Sequence, residues 1–214
     1  MAQILDSAGE VTPASMFLLI HHGLRRDAAR YPAAVAALGP ADGEAAAELA
    51  GSWAFYADML DRHHRLEDDL IFPLLLAEEP ALAGVLARLD AEHHELDVLL
   101  AEVARVLPAL PEPGGVREGV ALFTRLKDLL DAHLDTEEEH LVPVMNERSA
   151  DGLRLGDRTP PPPPAEALPW IEDGLDPAVA ERVFATLPEG LRARLPELRA
   201  EYRRRSTFLR EHPR

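Results

Sequence analysis

The chain has 214 residues, enough for one well-buried domain with an appendage and short for two ordinary domains. Its hydrophobic fraction of 47% comes with only 5% aromatics and is heavy in Ala and Leu, which is the composition of packed helices rather than strands. A net charge of −16 speaks against nucleic acid or an anionic membrane as partner, and the lack of cysteine excludes disulfides, thiolate metal sites and cysteine nucleophiles. Any metal is therefore held by nitrogen and oxygen, and the expected fold is all-α.

Residues 1–12 show no basic segment followed by an apolar run, and no stretch approaches the ~18 apolar residues that span a bilayer. A soluble, cytoplasmic protein is expected. Thr12 before Pro13 reads as an N-cap, and Phe17, His21, Leu24, Ala28, Tyr31 and Val35 follow at helical spacing. After the break at residues 39–43, a second stripe runs through Trp53, Tyr56, Leu60, His63, Glu67, Leu70 and Leu74 without a slip. Pro80 opens a third, through Leu86, Leu89, His93, Leu96, Leu100 and Val103, ending in the loop at 108–115. The fourth passes Phe123, Leu126, Leu130, His133, Glu137, Leu141 or His140, and Val144. Pro73 and Pro143 should kink or end their helices just beyond His63–Glu67 and His133–Glu137.

This pattern predicts an up-down-up-down four-helix bundle over residues 1–150, a Pro-rich linker over 151–167 and a short helical extension over 168–214 that docks on the bundle. The extension should hold a helix starting at Asp176-Pro177 and another near Glu189, with Leu168, Pro169, Trp170 and Phe184 as apolar anchors. Residues 188–214 carry eight arginines against four glutamates, so a basic tail is expected to fold back on an acidic body. DNA reading by Arg203, Arg204 and Arg205 is disfavoured, because the rest of the chain repels phosphate.

The chain also repeats itself. His63-His64-Arg65-Leu66-Glu67-Asp68-Asp69-Leu70-Ile71-Phe72-Pro73 aligns with His133-Leu134-Asp135-Thr136-Glu137-Glu138-Glu139-His140-Leu141-Val142-Pro143, and upstream histidines lie 42 residues before His63 and 40 before His133. Residues four apart share a helix face, so each His-x-x-x-Glu offers an imidazole and a carboxylate to one point. With His21 and His93 added, four imidazoles and two carboxylates suit two adjacent iron ions bridged by the glutamates. The competing reading of a polar core of His–Glu salt bridges has to bury two glutamates on apolar stripes, at a cost of several kcal/mol each unless they are paired or protonated.

Three of the histidines are doublets, and adjacent helical residues diverge by ~100°. The apolar phase selects His21, His63 and His93, and places His22, His64 and His94 on the surface or around the ligands, with a ligand role for a second member of a doublet as the alternative reading. Asp68, Asp69, Glu138 and Glu139 are expected on a solvated face, with one of each pair able instead to orient a ligand histidine. Tyr56 lies two turns before His63, as an ordinary core tyrosine or a phenol facing the cavity.

Over residues 12–148 the paired motifs, each with a proline six residues after its glutamate, resemble the hemerythrin, or HHE cation-binding, family. The resemblance implies a non-haem di-iron centre with an oxo or hydroxo bridge, reacting with O2, H2O2 or NO. By position, His21, His63, His93 and His133 would be terminal ligands and Glu67 and Glu137 bridging carboxylates. Oxygen-carrying hemerythrins have a second histidine four residues after the helix-three ligand, where this chain has Asp97, and an aspartate five residues after the last histidine, where Glu137 at plus four is the better candidate. The chain is thus closer to the four-histidine variants, for which peroxide decomposition or nitric oxide chemistry is more plausible than reversible oxygen carriage. The alternative is a non-enzymatic iron or redox sensor whose metal occupancy sets the stability of the bundle. A ferritin-like ferroxidase is disfavoured, since such sites use Glu-x-x-His spacing and more carboxylates. The oligomeric state is not legible in the sequence.

Overall fold

A computed structural model describes residues 3–150 and 163–212. Four long helical stretches form a bundle: α1 (Ser15–Ala36), α2 (Gly43–Leu66), α4 (Ala83–Val106) and α5 (Pro113–Ala150), with α1 and α4 both packed along α5. Short helices follow α2 and the linker: α3 (Phe72–Glu78), α6 (Leu168–Glu172), α7 (Pro177–Ala185), α8 (Glu189–Arg205) and α9 (Thr207–Glu211). Among the described residues the only β pairing is the isolated bridge of Leu5 with Val11, so the helical fold expected from composition holds. No helix among them is long and apolar enough to cross a membrane.

The stripes of α1, α4 and α5 face inward largely as the spacing requires, with Leu99 buried in place of the half-buried Leu100. Three local expectations are corrected. Thr12 does not cap α1: its backbone N–H donates to Ser15 Oγ, and the helix begins at Ser15. Of the kink or end expected at Pro143, the end does not occur, because α5 runs on to Ala150; proline removes the helical bond to the carbonyl of Glu139, an exposed residue. The stripe of α2 does slip. Glu67–Ile71 is a π-helical turn in which Phe72 N–H bonds to Glu67 O, so Ile71 and Leu75 are buried where Leu70 and Leu74 were expected.

The expected linker is outside the described residues at 151–162. Beyond it, Asp176 caps α7 by accepting from Ala178 and Val179 N–H, and α8 begins at Glu189, both as the sequence implies. Trp170 is fully buried, and α6, α8 and α9 lie against α1 and α2.

The core falls into two apolar clusters. The larger holds Leu24, Tyr31, Tyr56, Leu60, Leu96, Phe123 and Leu130; the smaller holds Phe17, Leu18, Ile71, Phe72, Leu89 and Leu141. The polar residues His21, His63, Glu67, His93, His133 and Glu137 occupy the turns between the two on their respective helices. A polar layer is thereby enclosed by hydrocarbon at both ends.

Candidate metal centre

All six predicted site residues are buried, with His21, His133, Glu67 and Glu137 at 0% exposure. α1 supplies His21, α2 and its π-turn supply His63 and Glu67, α4 supplies His93, and α5 supplies His133 and Glu137. The Nε2 atoms of the four histidines turn toward the two carboxylates. His63 Nε2 lies 3.5 Å from Glu67 Oε1 and His93 Nε2 lies 3.5 Å from Glu67 Oε2. Glu137 repeats the arrangement, with His133 Nε2 3.0 Å from Oε1 and His21 and His63 Nε2 at 3.4 and 3.9 Å from Oε2. Each glutamate therefore presents one oxygen to the His21–His63 side and one to the His93–His133 side.

These Nε2 and carboxylate oxygen atoms are buried and have no hydrogen-bond partner. Buried polar atoms are nearly always satisfied, so a convergent set of lone pairs without partners is what a cation would satisfy. The far side of three rings is fixed instead: His21 Nδ1 pairs with Glu138 at 3.1 Å, His93 Nδ1 with Asp68 at 2.9 Å, and His133 Nδ1 with Glu92 at 3.0 Å. A carboxylate on Nδ1–H fixes the tautomer that leaves Nε2 as an acceptor of metal and raises its basicity. Glu138 is further held by Arg25 Nη2 at 3.1 Å.

The electrostatics are strained in the same sense. Burial, reinforced by neighbouring Glu137, pushes the Glu67 carboxyl well above the usual range. Glu137 resists the same burial, since the adjacent His133 imidazole holds it well below that range. Burial brings His63 down to about 4 and also lowers His93, whereas His133 rises despite burial because Glu137 and Glu92 face it.

Two expectations change. His64, assigned to the periphery, is buried, and a ligand atom each from His64, Glu67, His93 and His133 falls in one cluster within 4.8 Å. His21, His63, Glu67 and Glu137 form a second such cluster. The doublet argument failed because Glu67 lies on the bundle axis, and positions three and four residues before it straddle that axis. The expected solvated face is also divided: Asp69 and Glu139 are exposed, but Asp68 and Glu138 reach histidines of neighbouring helices. Glu92 was missed entirely; its signal was adjacency to His93, the same relation that Asp68 bears to Glu67 and Glu138 to Glu137. Tyr56 belongs to the core, its hydroxyl donating to Leu24 O at 3.3 Å beside Trp53 and Tyr31. His22 donates to Asp173 O and exposed His94 bonds to Asp90 O, so both lie apart from the cluster.

A helical bundle with buried histidine and glutamate clusters able to hold metal defines a class of cation-binding protein. Comparison with known families identifies it further: the hemerythrin HHE cation-binding domain matches residues 12–145, and the chain belongs to that family. Uncharacterised proteins of Mycobacterium bovis and of Mycobacterium tuberculosis strains CDC 1551 and H37Rv are each 32% identical over 102 residues, 46% of this chain and 57% of theirs. The chain thus spans a little over half the length of these curated relatives. No solved structure matches it.

Proposed function

We propose that the chain is a non-haem di-iron protein that binds or reacts with a small oxidant, O2, H2O2 or NO, with His21, His63, His93 and His133 as terminal ligands and Glu67 and Glu137 bridging. The observation that carries this reading is the pair of two-faced glutamates, each aiming one oxygen at either histidine pair with no other partner. Four neutral imidazoles and two carboxylates suit iron, and no thiolate is present to favour softer metals. Iron in this setting supplies one- or two-electron redox chemistry toward the oxidant.

The chain's own residues supply the rest. Glu138, Asp68 and Glu92 hold the imidazole rings in one tautomer. Phe17 packs 4.2 Å from the His21 ring and Phe72 stacks on His93 at 5.5 Å, and with Ile71 and Leu141 they keep bulk water from the site. The raised Glu67 carboxyl and the His133–Glu137 pair hold protons that leave when a cation binds.

Anaerobic ferrous loading, elemental analysis and absorption spectroscopy test the reading. About two irons per chain with a near-ultraviolet band that responds to H2O2 are expected. A single zinc without such a band, or no iron after loading, would sink it.

A further inference from the structure

His64 sits where the repeat puts Leu134, and both positions are buried, at 4% and 0% exposure. Leu134 is at home in the apolar core. The imidazole is not: both Nδ1 and Nε2 are buried without a hydrogen-bond partner. Its ring stacks on His93 at 4.0 Å and meets His133 edge-on at 5.6 Å, so among the described residues the rings it meets are those of the cluster. An imidazole with neither nitrogen satisfied loses the desolvation free energy of both, and apolar replacement of such a group is ordinarily neutral or favourable. A cation within reach of the ring would offset that loss.

We propose that His64 is a metal ligand, completing the His93–His133 side with Glu67, so that the two metal positions are unequal. His64, His93 and His133 give that side three imidazoles, whereas His21 and His63 give the other two, with Glu67 and Glu137 beside them. The asymmetry arises from one departure in an otherwise repeated motif. His64 lies three residues before Glu67 and His63 four, so one α-helical turn feeds both sides of the same carboxylate. This inference rests on the two-iron reading above.

The experiment compares the full-length parent with His64→Leu, which copies the other half of the repeat, and His64→Phe, which keeps a flat ring on His93 but no donor. Each is measured metal-free by thermal melting and after loading with 57Fe by Mössbauer spectroscopy and ferrous titration. The parent is expected to show two distinct iron environments. Both variants should weaken one of the two binding steps by about 100-fold or more, beyond the loss typical for an outer partner of a ligand. His64→Leu should also melt higher than the parent without metal and gain less from loading. A histidine that only packs on His93 would give the opposite result: His64→Leu less stable in both states, His64→Phe with the parent's spectrum and affinity. That outcome, or two equivalent irons in the parent unchanged by either variant, overturns the ligand role and leaves the di-iron reading standing. A parent that takes up no iron overturns both.

Discussion

Glu67 and Glu137 are acidic side chains at 0% exposure, held between two hydrocarbon clusters and facing only histidines. The six residues expected at the site stood out because one helical period carries them and because no ordinary core position holds a glutamate, and all six are buried together. Of the carboxylates that orient them, the sequence pointed only to one of each acidic pair and not to Glu92, since reaching across to a particular histidine depends on the relative rotation of two helices, which a single stripe leaves open. Asp68 bonds to His93 of α4 and Glu92 to His133 of α5. Neither is needed for packing, as Asp68 is exposed and Glu92 half-buried. Asp68→Asn and Glu92→Gln are therefore expected to fold as the parent does, by circular dichroism, yet to lose about 10- to 100-fold in iron affinity by chelator competition. Unchanged affinity in both would mean that the rings are held by packing alone.

At the scale of elements, the least legible feature is the π-turn Glu67–Ile71. A 3.6-residue count passes through Leu70 and Leu74 as well as through Ile71 and Leu75, and nothing in composition distinguishes the two. The physical pressure is local: Pro73 has no N–H to continue the ladder, and widening the preceding turn takes up one extra residue before α3. The turn starts at Glu67 and contains Asp68, so it serves the site directly. Deleting Asp69 removes that extra residue. Ile71 and Leu75 then stay on the buried side of a continuous α-helix, and helicity and cooperative melting should be retained. The Asp68–His93 bond should be lost, and with it about tenfold or more in metal affinity. A deletion variant that binds iron as the parent does would show that the wide turn only accommodates proline.

Across the whole molecule, the fold class was readable from the sequence and the apolar residues Leu168 and Trp170 are buried, but the polarity of the contacts around them was not readable. A basic tail over residues 188–214 was expected against the acidic remainder, and Arg199 pairs with Glu172 and Arg210 lies 3.5 Å from Asp173, while the contact of α6 and Asp173 with α1 runs the other way. Asp173 of the extension accepts from Arg30 of α1 at 2.6 Å and from Tyr202 at 3.1 Å, while Arg26 donates to Trp170 O and Asp173 O. Trp170 Nε1–H donates to buried Asp27 at 2.7 Å, and its ring lies over Gly23, where a Cβ would sit 2.6 Å from Cη2. Gly23→Ala in a free helix would stabilise by about 1 kcal/mol; here it is expected to destabilise by about 1–3 kcal/mol in denaturant melts, since the buried indole has to move. Asp173 adds a pH signature. Burial works to raise its carboxyl, but Arg26 and Arg30 prevail and hold it below its ordinary 3.8. A carboxylate with a depressed folded value stabilises fully above its unfolded value and loses that contribution as pH falls through the folded one. Asp173→Asn should therefore be less stable than the parent at pH 7, by about 1–3 kcal/mol for a lost charge-assisted network, and the gap should close only below pH 3.8. The metal-free protein is the form to melt, so that acid acting on the histidine cluster does not mask the tail. A gap that persists at lower pH would assign the loss to the shape of the Asp173 turn rather than to its charge. Since the contact runs through α1, the helix that carries His21, iron loading of parent and Asp173→Asn side by side then measures whether the tail and the metal centre share free energy.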